Sequence, residues 1–212
     1  MQNGKPGDKE MLQRAYNVKT DRDTKELYRD WAETYDRTMV DGLTYNSPKK
    51  IADLLAAHKL DADSRIADIG CGTGLTAASL ASFGYSNIDG LDYSDEMLAV
   101  AGKRGIYKNL INADLRKKLD IAEGTYDAAL SSGMFTHGHL DATCLDEIFR
   151  IIKPGGLFAC VVRIQVWETM GFEEKFAGLE KAGTISRLDD EFDTNYDKSS
   201  KKDGRYLVFQ RN

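Results

Sequence analysis

An α/β fold is predicted: a doubly wound parallel sheet, finished by an antiparallel strand pair and covered by N-terminal helices. Three features point to it. Short apolar runs alternate with helical stretches between residues 65 and 163, and such alternation implies right-handed βαβ crossovers. Near the C-terminus two strand-like runs follow one another with a short connection, the antiparallel arrangement. The first 60 residues show helical rather than strand periodicity.

The elements follow in order. Residues 1–10, MQNGKPGDKE, read as a polar, frayed tail without the apolar stretch of a secretory signal. Residues 11–60 read as a helical lid. Over 24–40, Leu27, Tyr28, Trp31, Ala32, Tyr35 and Met39 fall on one helix face, and Asp41-Gly42 breaks it. Ser47-Pro48 opens the next helix, with Ser47 as N-cap and Pro48 in the first turn. Ile51, Leu54, Leu55 and His58 line its inner face. The core, 61–212, begins with the strand RIADIG (65–70) and a helix over 74–83. NIDGLD (87–92) is the second strand, and Ser94 caps a helix whose first turn carries Asp95 and Glu96, the sign its dipole favours. LINAD (110–114) and YDAALSS (126–132) are the third and fourth strands. A helix over 141–152 ends at Lys153-Pro154-Gly155-Gly156. LFACVVR (157–163), apolar on both faces, reads as a central strand. After a helix over 170–182, TISRLDDEF (184–192) and RYLVFQ (205–210) are joined by a turn containing Lys202-Asp203-Gly204.

Composition bounds the function. At 212 residues, 42% of them apolar with 19 glycines, the chain is one globular domain, 1–212, able to bury a core without staples. The net charge of −5 argues against a duplex-nucleic-acid binder, which shows a basic face. Lys49-Lys50, Arg116-Lys117-Lys118 and Lys201-Lys202 are short enough to be solvated patches. No apolar run approaches the roughly 20 residues of a membrane span. Three cysteines, Cys71, Cys144 and Cys160, lack the spacing of a disulfide framework or zinc site. A reducing, cytoplasmic setting and no metal are expected.

The strongest signal is IADIGCGTGL (66–75), a strand running through Gly70-Cys71-Gly72-Thr73-Gly74 into a helix. The glycines let a ligand approach the main chain, and the helix start offers unpaired N–H groups. Asp92 ends the second strand, 22 residues beyond Gly70, where a carboxylate can accept both hydroxyls of a ribose. Tyr93 follows, placed to cover a base. Asp114 ends the third strand, placed to accept from an adenine amino group, and the Leu115 N–H can serve a ring nitrogen. The dinucleotide pattern G-x-G-x-x-G would put its third glycine at 75, which is Leu75; here it is Gly74. That favours a ligand without a pyrophosphate.

IADIGCGTG, IDGLDYSDEML (88–98), NADL (112–115), YDAALSSGMFTHG (126–138) and IIKPGGLFACVVR (151–163) resemble the successive motifs of the class I S-adenosylmethionine-dependent methyltransferases. LYRDWAETYDRTM (27–39), RGIYKNLINADL (104–115) and FEEKFAGLEKAG (172–183) are similar to the Williams–Beuren-region methyltransferase-like group. The resemblance implies a Rossmann-like seven-stranded sheet of order 3-2-1-4-5-7-6 with the last pair antiparallel. It implies S-adenosylmethionine as cofactor and S-adenosylhomocysteine as product. Gly70, Cys71, Gly72, Thr73 and Gly74 would wrap the methionine part, with Asp68 near its ammonium and the carbonyl of Cys71 or Ser131 accepting from it. Asp92 would be the ribose acid, and Tyr93, Met97, Asp114 and Leu115 would lie around the base. Tyr28, Trp31 and Tyr35 belong to a covering helix, Tyr28 being the one expected to touch cofactor.

His137 and His139 follow the fourth strand, at the sheet edge where open α/β folds bind ligands. Histidine titrates near neutral pH, so both are candidate bases or acceptor-orienting groups; a loop role and a metal site without a third ligand are the other readings. The chain lacks the Asn/Asp-Pro-Pro-aromatic motif of amino-group methylation in nucleic acids and the Pro-Cys nucleophile of cytosine methylation. A small-molecule acceptor is expected, with no nucleic acid and no membrane as partner. The entrance helices and 164–183 are expected to form its pocket. A noncatalytic S-adenosylmethionine-binding scaffold is the alternative; a nicotinamide oxidoreductase lacks both the glycine at 75 and a Tyr-x-x-x-Lys pair.

Overall fold

The computed structural model describes residues 8–18, 21–42, 44–196 and 201–212. Seven strands form one sheet in the order β3-β2-β1-β4-β5-β7-β6. They are β1 (Ile66–Ile69), β2 (Ile88–Asp92), β3 (Asn109–Asn112), β4 (Tyr126–Phe135), β5 (Ile152–Arg163), β6 (Ile185–Asp193) and β7 (Gly204–Arg211). The first five pair in parallel, whereas β7 runs antiparallel to both β5 and β6. The expected architecture and strand order are those observed.

The sheet is covered on both faces, which is why its central strands are apolar throughout. One face packs on α3 (Ser47–Ala57) and α4 (Leu75–Ala81), through Ile51, Leu55, Ala77 and Leu80. The other packs on α6 (Leu145–Ile151) and α8 (Phe172–Lys181), through Leu145, Ile148, Phe172 and Phe176. Between β2 and β3 runs α5 (Asp95–Gly102), whose Met97 N–H is capped by the Ser94 hydroxyl, as expected.

The N-terminal cover is less regular than its periodicity suggests. Seven residues of the expected tail, 1–7, lie outside the described residues, while 8–10 already belong to α1 (Asp8–Asn17). The helix expected over 24–40 is α2 (Asp21–Trp31), followed by turns and a π-helical segment, Arg37–Gly42. The break lets Trp31 and Met39 both turn inward, onto Met11, Ala15 and Leu27. Ser47 is not the N-cap of α3; Asn46 is. The Ser47 hydroxyl is instead buried, 2.8 Å from Oδ1 of Asn195 and 2.7 Å from the Tyr206 hydroxyl, and so ties the cover to β7. The helix expected over 141–152 begins as a 3-10 turn, Ala142–Cys144, before α6. A short α7 (Ile164–Trp167), not foreseen, follows β5.

One irregularity shapes the site. Ser131 of β4 pairs with Cys160 and Phe135 with Val162, so the three residues between them on β4 oppose one on β5. Such a bulge re-aims side chains, and Ser132, Gly133 and Met134 turn toward the cleft above the strand ends.

Candidate functional site

Two adjoining clefts lie at the carboxyl ends of the strands, under the helical cover. The larger holds about 980 Å³, counting the solvent at its mouth. Of the expected cofactor residues, Tyr28, Gly70, Gly72, Asp92, Tyr93, Met97, Asp114 and Leu115 line it, and so does His139. Asp68, Cys71, Thr73, Gly74, Ser131 and His137 do not.

The glycine loop is built for close approach. Gly70 sits at φ +65°, and a Cβ there would fall 2.0 Å from Cε of Met134. Gly72, at φ +53°, has nothing within 4 Å of where its Cβ would be. Both conformations are those L side chains avoid. The loop is held from beneath by Asp92. Its Oδ2 accepts from the Gly72 N–H at 2.8 Å, and its Oδ1 accepts from the Ser94 N–H at 2.9 Å. Burial raises the Asp92 carboxyl above the usual range, against the pull of these N–H groups. Each carboxylate oxygen keeps a second lone pair for a ligand hydroxyl.

Asp68 is fully buried at the end of β1. The Tyr107 hydroxyl donates to its Oδ2 at 2.7 Å, whereas its Oδ1 has no hydrogen-bond partner among the described residues. Burial pushes its carboxyl up to about 7, opposed by Tyr107 and the Ala77 backbone and assisted by the Asp92 charge. A buried acceptor of this kind calls for a donor. Together with the open loop, it fits the ammonium end of a methionine that approaches directly or through water. Burial also raises the Cys71 thiol, so it is no nucleophile. The Ser131 hydroxyl is committed, donating to the Ile69 carbonyl at 2.9 Å.

At the far end, Asp114 is clasped by Arg116, with Nε to Oδ1 at 2.7 Å and Nη2 to Oδ2 at 3.1 Å. Hydrogen bonds from Arg116 hold its carboxyl down at about 2. The Arg116 guanidinium lies 5.0 Å from the centroid of the Tyr93 ring. The Tyr93 ring expected to cover a base is therefore also held by a cation that the sequence pattern places in a solvated patch.

Thr73 faces the cover rather than the cleft. Its hydroxyl donates to Asp36 Oδ1 at 2.5 Å, Arg104 pairs with Asp36, and Arg104 Nε donates to the Thr73 carbonyl at 2.5 Å. Asp36, from the stretch between α2 and the π-helical segment, thus latches the cover onto the glycine loop.

The two clefts share Tyr28, Tyr35, Gly133 and His139. The Tyr28 oxygen is 2.6 Å from Nε2 of His139, and Nδ1 of His139 is 3.0 Å from the His137 carbonyl. A carbonyl only accepts, so Nδ1 carries the proton. Nε2 of the neutral ring then accepts from Tyr28. Burial lowers the His139 pKa, opposed only by that carbonyl. His137 lies outside the first cleft because it is on the wall of the second.

The second cleft, about 480 Å³ on the same count, is lined by rings of the cover and by Arg163. Tyr45 and Tyr196, whose rings are 5.5 Å apart, close one part of it. No residue of 164–183, the segment expected in the acceptor pocket, lines either cleft. β5 ends at Arg163, and α8 turns under the sheet to pack Phe172 and Phe176 into the core. Among the described residues, no group of three or more His, Cys, Asp or Glu gathers as metal ligands do. No helix among them is long and apolar enough to cross a membrane.

Comparison with known proteins agrees with this geometry. A family model described as a methyltransferase domain matches residues 67–160, from β1 to β5. Methyltransferase-like protein 27 of Homo sapiens is 33% identical over 165 residues, covering 74% of this chain and 66% of that protein. Demethylmenaquinone methyltransferase of Symbiobacterium thermophilum is 30% identical over 146 residues, covering 65% and 57%. The chain therefore spans about two thirds or less of the length of these relatives. A crystal structure of an S-adenosylmethionine-dependent methyltransferase from Aquifex aeolicus superimposes with a TM-score of 0.61 at 18% identity, covering 87% of this chain and 98% of that one, which is a likeness of fold. With its motifs, its strand order and these matches, the chain belongs to the class I S-adenosylmethionine-dependent methyltransferases, and among them it resembles the methyltransferase-like protein 27 group.

Proposed function

We propose that the chain transfers a methyl group from S-adenosylmethionine to a small-molecule acceptor held in the second cleft. The observation that carries this reading is the junction of the two clefts at Tyr28, Tyr35, Gly133 and His139. Among the described residues, these four line both clefts, so ligands in the two would approach each other there.

When bound, S-adenosylmethionine supplies a methyl group already activated on a sulfonium. The chain's own residues do the rest. Gly70, Cys71, Gly72, Thr73 and Gly74 shape the loop for the methionine part. Asp68 and the carbonyl of Cys71 or Ser131 serve its ammonium end. Asp92 takes the ribose, while Tyr93, Met97, Asp114 and Leu115 surround the base. Holding the acceptor atom about 3 Å from the methyl and in line with it can supply roughly 7–11 kcal/mol of the barrier. The cover, latched by Asp36, excludes water.

His139 is the proposed proton acceptor, working through the Tyr28 hydroxyl, and His137 is a rim residue that orients the acceptor. The relative named for demethylmenaquinone is consistent with a small acceptor. The test is calorimetry with S-adenosylhomocysteine, followed by methyl transfer to a metabolite extract. Binding with transfer to a small-molecule fraction is expected; binding without transfer to any fraction would favour a noncatalytic scaffold.

A further inference from the structure

The second cleft has a wall chemistry that selects its ligand. Trp31 lines it and is 1% exposed, yet its indole N–H is buried without a hydrogen-bond partner among the described residues. A buried donor left unmade carries a free-energy cost that a bound acceptor oxygen would recover. Arg163 lines the same cleft, held by Asp203 at 3.0 Å. Among the described residues, no Asp or Glu lines it. Much of the rest is tyrosine rings, which stack well on a flat ligand.

We infer that the second cleft binds a planar aromatic hydroxy acid or hydroxy ketone, with its ring hydroxyl at Tyr28 and its carboxylate or carbonyl oxygen toward Trp31 and Arg163. The inference rests on the methyl-transfer reading above. In the step, the ring hydroxyl oxygen bonds to the methyl carbon as the carbon–sulfur bond breaks, and that bond's electron pair stays on sulfur. The hydroxyl proton passes to the Tyr28 oxygen while Tyr28's own proton passes to Nε2 of His139. The products are an aryl methyl ether, the thioether and an imidazolium that returns its proton to solvent.

An aromatic wall can also hold an ammonium by cation–π attraction. The absence of a lining carboxylate and the presence of Arg163 argue against that ligand. The experiment compares matched probes. S-adenosylhomocysteine is titrated into the full chain first. Then 3,4-dihydroxybenzoate, 3,4-dihydroxyacetophenone and 3,4-dihydroxybenzylamine are each titrated into the loaded protein. At least one oxygenated probe should bind about tenfold or more tighter than the amine. In Trp31→Phe, which keeps a ring but loses the N–H, its affinity should fall about fivefold to tenfold with S-adenosylhomocysteine binding unchanged. Failure to bind S-adenosylhomocysteine would overturn the methyl-transfer reading. Normal S-adenosylhomocysteine binding, with the amine preferred or neither oxygenated probe bound, would overturn this inference alone. The ranking in the unaltered chain decides the matter even if Trp31→Phe fails to fold.

Discussion

The Tyr28 hydroxyl donates to Nε2 of His139 across 2.6 Å, joining α2 of the cover to the loop after β4. The bond places a proton route where the two clefts meet. His139 is kept neutral by burial and oriented by the His137 carbonyl. Its neutral form therefore persists below the ordinary histidine range, and the acid limb of kcat should fall below pH 6.5. Initial rates across about pH 5 to 9 check this. His139→Asn should lower kcat by about 10²–10⁴-fold and flatten that limb, with S-adenosylhomocysteine affinity retained. An unchanged profile would remove His139 from the proton route.

Asp92 serves two tasks, and its replacement should show both. Asp92→Ala removes a charge-assisted ribose contact, so S-adenosylhomocysteine affinity should fall by about 1.5–3 kcal/mol, measured by calorimetry. It also frees the Gly72 and Ser94 N–H groups, so the melting temperature should drop without ligand. Asp92→Asn keeps one acceptor oxygen and should lie between the two.

Asp68 makes stability depend on pH. Burial raises its carboxyl from the ordinary aspartate range to about 7 in the fold. The folded state then holds a proton that the unfolded chain has released, so stability falls as pH rises from about 4 to about 7 and is level above. Asp68→Asn should flatten that slope in melting curves. An ammonium brought beside Asp68 favours the carboxylate. Binding of S-adenosylhomocysteine near pH 6 should therefore release a proton, visible as a dependence of the calorimetric heat on the buffer's ionisation enthalpy.

The latch at Asp36 should act on kinetics more than on folding. Asp36 and Arg104 are both partly exposed, so their ion pair contributes modestly. Asp36→Ala should speed S-adenosylhomocysteine release about twofold to fivefold in stopped-flow measurements, and the melting temperature should change little.

The core of the fold was legible because its signals are local. Asp92 ends β2, the glycine loop follows β1 and Asp114 lies two residues beyond β3, and strand ends in a doubly wound sheet share one edge. Their gathering around one cleft needed only the alternation of elements. The cover was less legible. Its apolar spacing continues through Ala32 and Tyr35 at helical period, yet α2 stops at Trp31. Tertiary packing of Trp31 and Met39 onto α1 outweighs local periodicity there.

The second cleft was hidden for another reason. Tyr45 and Tyr196 are far apart in sequence, brought together by an isolated antiparallel bridge with no pattern of its own. Tyr107 sat inside a recognised motif and Arg116 just after one, yet their roles depend on which neighbouring carboxylate they reach. Ser47 looked like a cap because its sequence context is that of one. Its hydroxyl instead serves Asn195 and Tyr206, which are distant in sequence.

The central claim is that a small acceptor in the second cleft takes a methyl group from a cofactor in the first. The most direct test incubates the chain with methyl-labelled S-adenosylmethionine and a metabolite extract, then separates small molecules from protein and nucleic acid. The account predicts label in the small-molecule fraction, reduced in Asp92→Ala at limiting S-adenosylmethionine and strongly reduced in His139→Asn. Label confined to protein or nucleic acid, or no transfer by a chain that binds S-adenosylhomocysteine normally, would contradict it.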